Sequence, residues 1–188
     1  MKKILTIIGS TGLGKTDLAI KIAKKINGEI IGLDSRQIYK YMPIGTAQPS
    51  EAELRDVPHH LIGFRDPWQS VSAGEYAKMV FEKVCEIKDR NRFPIICGGA
   101  GLYYMAITKG IFSNSYSNSE LREKLEIQYE KNPILLYDKL QAIDPEYGNI
   151  VHINNKKRLI RALEIFELTG FTLTEHFKNQ KKNENQLL

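Results

Sequence analysis

Two cysteines and one tryptophan are all that 188 residues contain of either type. Cys85 and Cys97 are too few and too isolated for a disulfide framework, and neither forms a Cys-x-x-Cys pair, so the chain reads as cytoplasmic. Long hydrophobic runs are missing too. After Lys2 and Lys3 the apolar stretch Ile4 to Ile8 stops at Gly9, too short for a signal-peptide core or a membrane span, and no membrane partner is expected. No internal repeat is present. Acidic charge falls short of basic charge: 22 Asp and Glu against 27 Lys and Arg leave a net +5, which suits an anionic partner such as a nucleic acid or a phosphorylated metabolite without requiring one. With 42% apolar and 26% charged residues, the chain can bury the core of one compact domain carrying a small appendage.

Short β-branched runs alternate with longer helical patterns from Lys3 to about Ile111, the pattern of βαβ units around a parallel sheet. Strands are predicted at Ile4–Ile8, Glu29–Leu33 and Phe93–Cys97. Leu18, Ala19, Ile22, Ala23 and Ile26 recur at helical spacing between the first two, and Gly28 is expected to stop that helix. Ser72 with Glu75 has the form of a capping box opening a helix to roughly Arg90, and Ser117 with Glu120 that of another. Beyond this the texture is helical. Pro133 suits the first turn of a helix through Ile143, and Asn154 or Asn155 can cap a last helix ending at Thr169 and Gly170. Lys178 to Gln186 is almost wholly polar and reads as loose. The first strand, apolar on both faces through Leu5, Ile7 and Ile8, should be central; as an edge it would invite pairing or aggregation.

What is present is Gly9-Ser10-Thr11-Gly12-Leu13-Gly14-Lys15-Thr16, a match to G-x-x-x-x-G-K-[ST] between a predicted strand and a predicted helix, the setting that makes such a match informative. Its glycines let successive backbone N–H groups converge on phosphate oxygens, and the helix beginning near Lys15 adds its positive dipole end. Lys15 contributes a full charge and Thr16 a hydroxyl for Mg2+. Many reactions share a P-loop, so the rest of the site has to choose among them. An acid is missing where an ordinary nucleotide hydrolase keeps one to help hold the metal, because the third strand runs into Cys97-Gly98-Gly99-Ala100. The acid stands instead at the tip of the second strand, as Asp34 in Asp34-Ser35-Arg36-Gln37, where the carboxyl ends of parallel strands form a ligand crevice. Asp34 is placed to accept a proton from a nucleophile, although aspartate also commonly forms turns and caps helices.

Six blocks, taken in order, resemble the tRNA dimethylallyltransferases. They are the P-loop at 9–16, Asp34-Ser35-Arg36-Gln37-Ile38-Tyr39, Ile44-Gly45-Thr46-Ala47, Pro58-His59-His60-Leu61, Gly98-Gly99-Ala100-Gly101-Leu102-Tyr103 and Lys157-Arg158-Leu159-Ile160-Arg161-Ala162-Leu163-Glu164. The resemblance reaches to about Glu175. It implies an α/β fold with a P-loop NTPase-like parallel sheet, incomplete here at about three strands, and a small helical insertion domain: a core over 1–112, a tRNA-binding insertion over 113–177 and a polar tail over 178–188. It also implies transfer of a dimethylallyl group from dimethylallyl diphosphate to N6 of the adenosine 3′-adjacent to a tRNA anticodon, with Mg2+ and release of pyrophosphate. The diphosphate would rest on Gly9, Ser10, Thr11, Gly12, Leu13, Gly14, Lys15 and Thr16, with Thr16 toward the metal. The tRNA would meet Asp34, Ser35, Arg36, Gln37, Ala100, Arg122, Lys157, Arg158, Leu159, Ile160 and Arg161. Asp34, Lys15 and Thr16 would carry the catalysis, Asp34 taking the amine proton while Lys15 and the P-loop amides stabilise the leaving diphosphate.

The sequence departs from the family pattern at Ser10 and Ile153, where the family has proline, at Gln48, where it has lysine, and at Ala100, where a threonine hydroxyl is lost from the RNA-facing part of the site. Family members, expected to be monomers, run further. This chain alone is therefore expected to have little transferase activity, whether it is a truncated product, half of a split enzyme completed by a second chain, or an artificial fragment. Lys157, Arg158 and Arg161 should share one side of their helix, opposing its dipole until an anion compensates them. His59 and His60 suggest no metal, since adjacent histidines point apart. Tyr39, Tyr103 and Tyr104 read as core before stacking groups. Three other functions stay open: a small-molecule kinase, an adenylate isopentenyltransferase acting on free nucleotides, and an RNA- or phosphate-binding remnant without catalysis.

Overall fold

A computed structural model describes residues 4–109 and 117–181. The chain divides into two compact units between Ser113 and Asn114. In the first, four parallel strands lie in the order β1-β4-β2-β3, with β1 at Leu5–Ile8, β2 at Gly28–Leu33, β3 at His59–His60 and β4 at Phe93–Gly98. Three of these fall where the hydrophobic runs put them. The fourth corrects the count of about three: β3 pairs only His59 and His60 with Ile30 and Ile31, too few residues to show any periodicity in the sequence. Every residue of β2 is buried, as befits a strand with a neighbour on each side and helices over its faces. The expected central place belongs to β4 and β2 instead. β1 pairs with β4 alone among the described residues, and Leu5 and Ile8 are 43% and 45% exposed.

Alternation along the strands feeds two apolar layers. On one face Ile31, Leu33 and Ile96 meet Tyr76, Val80 and Ile87 of α3 (Ala73–Asp89) and Ala106 and Ile107 of α4 (Gly101–Lys109), with Tyr103 stacked on Tyr76 at a ring separation of 4.1 Å. On the other, Ile30 and Ile95 meet Ala19, Ile20 and Ala23 of α1 (Lys15–Ile26). The stop of α1 is Asn27, in the left-handed region at φ 54°, rather than Gly28, which begins β2. Ser72 caps α3 by accepting from the Glu75 amide at 3.1 Å, but the Glu75 carboxylate turns to Arg65, so the box is half closed. A complete capping box sits at Ser50 and Glu53, opening α2 (Glu51–Asp56).

At the far end of β2 from the P-loop, Glu29 is 3% exposed and accepts from His60 at 2.5 Å and Arg90 at 2.7 Å. Burial pushes its pKa up, but the hydrogen bonds and charges of Arg90 and His60 outweigh that and hold the carboxyl below its ordinary value. His59 bonds through Nδ1 to the Val57 carbonyl at 2.7 Å, and burial keeps its imidazole below the usual pKa. Both histidines are thus structural members of the sheet edge.

The second unit is helical: α5 (Ser119–Lys131), α6 (Pro133–Ile143), α7 (Pro145–Gly148), α8 (Lys156–Thr169) and α9 (Leu173–Lys181). Leu125, Leu136, Leu140, Leu159 and Leu163 form its buried interior. The cap of α5 is Asn118, which accepts from the Leu121 amide at 3.0 Å, while Ser117 Oγ accepts from Arg122 instead. Asn155 and Gly170 bound α8 as the sequence suggests. It is not the last helix, because buried Leu173 anchors α9 and draws Lys178 to Lys181 into helix despite their polarity. Residues 182–186 of the predicted loose stretch lie outside the described residues.

Candidate functional site

The P-loop leaves β1 and enters α1 through two glycines in the left-handed region, Gly12 at φ 86° and Gly14 at φ 68°. No atom lies within 4 Å of where a Cβ would stand on either, so conformation, not crowding, demands glycine there. Gly14 caps α1 without a side-chain hydrogen bond, which leaves the first amides of the helix pointing at the loop's concavity. Lys15 and Thr16 are half-buried at that helix start, and Lys15 Nζ donates to the Ser10 carbonyl at 2.6 Å, carrying its charge across the loop. Leu13 is 69% exposed at the loop's crest.

A cleft of about 260 Å³ opens beside this loop. Gly9, Ser10 and Thr11 form one wall, Asp34, Ser35 and Arg36 another, and Gly99 and Ala100 the third. Gly99, which the sequence places in the glycine-rich block after β4 without giving it a site role, lines the cleft as well. Asp34 Oδ1 accepts from the Arg36 amide at 2.7 Å and the Gln37 amide at 3.2 Å, so the turn-forming reading of this residue holds. It does not exhaust the side chain, because Oδ2 has no hydrogen-bond partner among the described residues. Gln37 is occupied elsewhere: its amide donates to the carbonyls of Thr46 at 3.3 Å and Ala47 at 2.7 Å.

Asp34 is fixed against the glycine-rich loop by backbone atoms. The Leu33 carbonyl accepts from the amides of both Gly99 and Ala100 at 2.9 Å. Such closeness depends on Gly98, where an added Cβ would meet the Leu33 oxygen at 2.1 Å and its carbonyl carbon at 2.4 Å. Gly98→Ala is expected to cost roughly 1–3 kcal/mol of stability or more, read as a lower midpoint of denaturant unfolding, and to loosen anion binding in the cleft.

In the second unit, α8 presents Lys157 and Arg158 to solvent, and neither has an acidic partner among the described residues. Leu159 and Ile160 are buried, so any RNA contact at these two positions is confined to backbone. Arg161 and Arg122 differ from the expected pattern. Both bind Glu164, a side chain with 0% exposure: Arg161 Nη1 donates to it at 2.7 Å, and Arg122 Nη2 reaches both its oxygens at 3.1 Å. The compensating anion for Arg161 is therefore internal and one helical turn away. Burial raises the pKa of Glu164, and the Arg161, Asn118 and Arg122 hydrogen bonds more than reverse this, leaving the carboxyl below its ordinary value.

These shifts set an acid limit for each unit. Glu29 and Glu164 bind protons more weakly folded than unfolded, so their stabilisation is complete above the ordinary value of 4.5 and is lost as pH falls through the folded values. His59, lowered from 6.5, adds an earlier loss starting near that pH. The melting temperature is expected to decline below pH 6.5 and to fall more steeply below pH 4.5. The deficits of E29Q and E164Q relative to wild type should shrink as acid is added; deficits constant from neutral to acid pH would contradict this account.

Comparison with known proteins places this geometry among relatives. A family profile described as IPP transferase matches residues 37–188. The tRNA dimethylallyltransferase of Petrotoga mobilis is 43% identical over 185 residues, covering 98% of this chain and 61% of that protein. The tRNA dimethylallyltransferase of Bacillus subtilis is 42% identical over 181 residues, covering 95% and 58%. This chain thus spans about three fifths of the length of the curated relatives it matches. Among solved structures, a full-length tRNA isopentenylpyrophosphate transferase from Bacillus halodurans superposes with a TM-score of 0.60 at 34% identity, over 98% of this chain and 65% of that one. A eukaryotic dimethylallyltransferase acting on tRNA superposes at 0.81 with 32% identity, over 96% and 45%.

Proposed function

This chain belongs to the IPP transferase family, and from that premise we propose that its P-loop holds the diphosphate of dimethylallyl diphosphate for transfer of the dimethylallyl group to N6 of the adenosine 3′-adjacent to a tRNA anticodon. The carrying observation is that Asp34 shares one cleft with Gly9, Ser10 and Thr11 while one of its oxygens is free of the turn. An exocyclic adenine amine is a weak nucleophile because its lone pair is conjugated into the ring. Its attack needs a proton acceptor on one side and a stabilised leaving group on the other. In this reading the N6 nitrogen bonds the allylic carbon as the carbon–oxygen bond breaks, the N6 proton passes to Asp34 Oδ2, and the electron pair leaves with pyrophosphate. Lys15 and the amides of 9–16 stabilise the charge that gathers there.

Magnesium fits the residues present. Among the described residues no group of three or more His, Cys, Asp or Glu side chains could hold a metal ion. The donor present is the Thr16 hydroxyl, half-buried in the first turn of α1, a hard oxygen that would hold an ion otherwise carried on phosphate oxygens and water. When bound, the ion supplies further charge stabilisation to the diphosphate. For the RNA we assign Ser35, Arg36, Gln37 and Ala100 in the first unit, with Lys157 and Arg158 as the open cations of the second. Arg122 and Arg161 reach RNA from their anchorage on Glu164, and Leu159 and Ile160 contribute main chain only. In this reading the first unit serves as the donor-binding core and the second as the tRNA-binding insertion, and the protein works in the cytoplasm.

Labelled dimethylallyl diphosphate offered with tRNA, with AMP, and labelled ATP offered separately, tests the proposal. The label transferred, little by this chain alone, is expected in tRNA and in no other acceptor. Label in AMP would point to free nucleotides as acceptors, phosphoryl transfer from ATP would point to a kinase, and a cleft that binds no pyrophosphate, together with no transfer to tRNA, would overturn the reading.

A further inference from the structure

Two large aromatic side chains of the first unit stand almost fully in solvent, Tyr41 at 81% and Trp68 at 79% exposure, with Ile44 at 95% on the same loop as Tyr41. Core packing explains none of them, and rings this open on a folded surface mark a site of recognition when their backbone is rigid. It is rigid here. The Gln37 side chain fastens the carbonyls of Thr46 and Ala47, and Thr46 Oγ1 donates to the Met42 carbonyl at 2.7 Å. Tyr41 itself is held at φ 62°, a left-handed conformation unusual for a bulky residue.

The loop of Trp68 is tied to that of Tyr41. Tyr39 and Arg65 form a parallel bridge, the Lys40 amide donates to the Arg65 carbonyl at 2.7 Å, and Lys40 Nζ pairs with Asp66 at 3.3 Å. The Asp66 main-chain carbonyl closes the turn carrying Trp68 by accepting from the Gln69 amide at 2.9 Å. The loops carrying both rings are therefore tied to the segment that begins at Asp34, in which Arg36 is also exposed. Basic side chains interleaved with open aromatic rings suit single-stranded nucleic acid, whose unpaired bases stack on such rings whatever their identity.

We propose that Tyr41 and Trp68 form a stacking surface for unpaired bases of an RNA loop, adjoining the Asp34 segment; this rests on the tRNA reading above. Tying the loop backbone before binding spares the entropy that mobile loops would lose. Trp68 is the sole tryptophan of the sequence and so reports on its own surroundings in the unaltered protein.

The test is a titration of the full chain with an anticodon stem–loop RNA, following tryptophan emission alongside the anisotropy of labelled RNA. Saturable quenching that tracks binding is expected, with far less from a fully paired duplex of equal length. Tyr41→Ala and Trp68→Ala should each weaken stem–loop affinity roughly 5- to 100-fold, Tyr41→Phe and Trp68→Phe should restore most of it, and pyrophosphate affinity should stay unchanged throughout. Stem–loop binding with silent emission and normal affinity in both alanine variants overturns the proposal. Emission that shifts with protein concentration alone also overturns it, in favour of self-association through these rings. If no RNA binds, this inference and the tRNA reading fail together; if label reaches tRNA while the rings are silent, only this inference fails.

Discussion

In a transfer-competent protein, asparagine in place of Asp34 is expected to slow transfer to RNA by roughly two to four orders of magnitude while pyrophosphate affinity stays close to wild type. The substitution isolates the charge. Asparagine keeps a carbonyl oxygen where Oδ1 accepts from the Arg36 and Gln37 amides, so the turn at the tip of β2 survives. What disappears is the acceptor at Oδ2, the atom the turn leaves unused. A single-turnover rate measured beside pyrophosphate calorimetry separates the two quantities. Near-normal turnover in a folded Asp34→Asn protein would falsify the base assignment, whatever became of binding.

Lys15→Ala should show the complementary pattern, because this ammonium meets the anion in the ground state as well as in the transition state. Hydrogen bonds to charged groups contribute about 1.5–3 kcal/mol, so pyrophosphate affinity should fall roughly 10- to 100-fold with a further loss in turnover. Folding should be little affected, since among the described residues Nζ bonds only to the carbonyl of exposed Ser10. Stem–loop RNA affinity should be unchanged. A Lys15→Ala protein that binds pyrophosphate normally would mean that the loop's concavity holds no polyanion through this residue.

Much of this arrangement could be read from the sequence because it is local. The P-loop glycines, the three longer strands and the helix from Asn155 to Gly170 announce themselves within windows of a few residues, where periodicity and turn chemistry act. What escaped depends on choices among partners that a local pattern does not settle. A strand of only His59 and His60 exists because β2 offers an edge, and neither residue type suggests it. The grip of Arg122 and Arg161 on Glu164 spans 42 positions in one case and three in the other, and the sequence shows only three charges on helices. Ser117 lost the cap to Asn118 because both are good capping residues one position apart, and propensity alone does not choose between them. Tyr41 and Trp68 passed unnoticed for a related reason: aromatic residues near strands usually turn inward, and exposure is visible only after folding.

The bifurcated acceptance at Leu33 bears on how such a cleft can change over generations. Its gauge is set by peptide atoms, which every amino acid possesses, so substitutions around the rim leave the spacing of acid and anion cradle intact. Ala100 illustrates the latitude this gives: it lines the cleft, yet the bond it makes to the Leu33 carbonyl comes from its amide, not its side chain. Variation in guest preference can accumulate on a chassis whose dimensions depend on one irreplaceable hydrogen, the missing side chain at position 98.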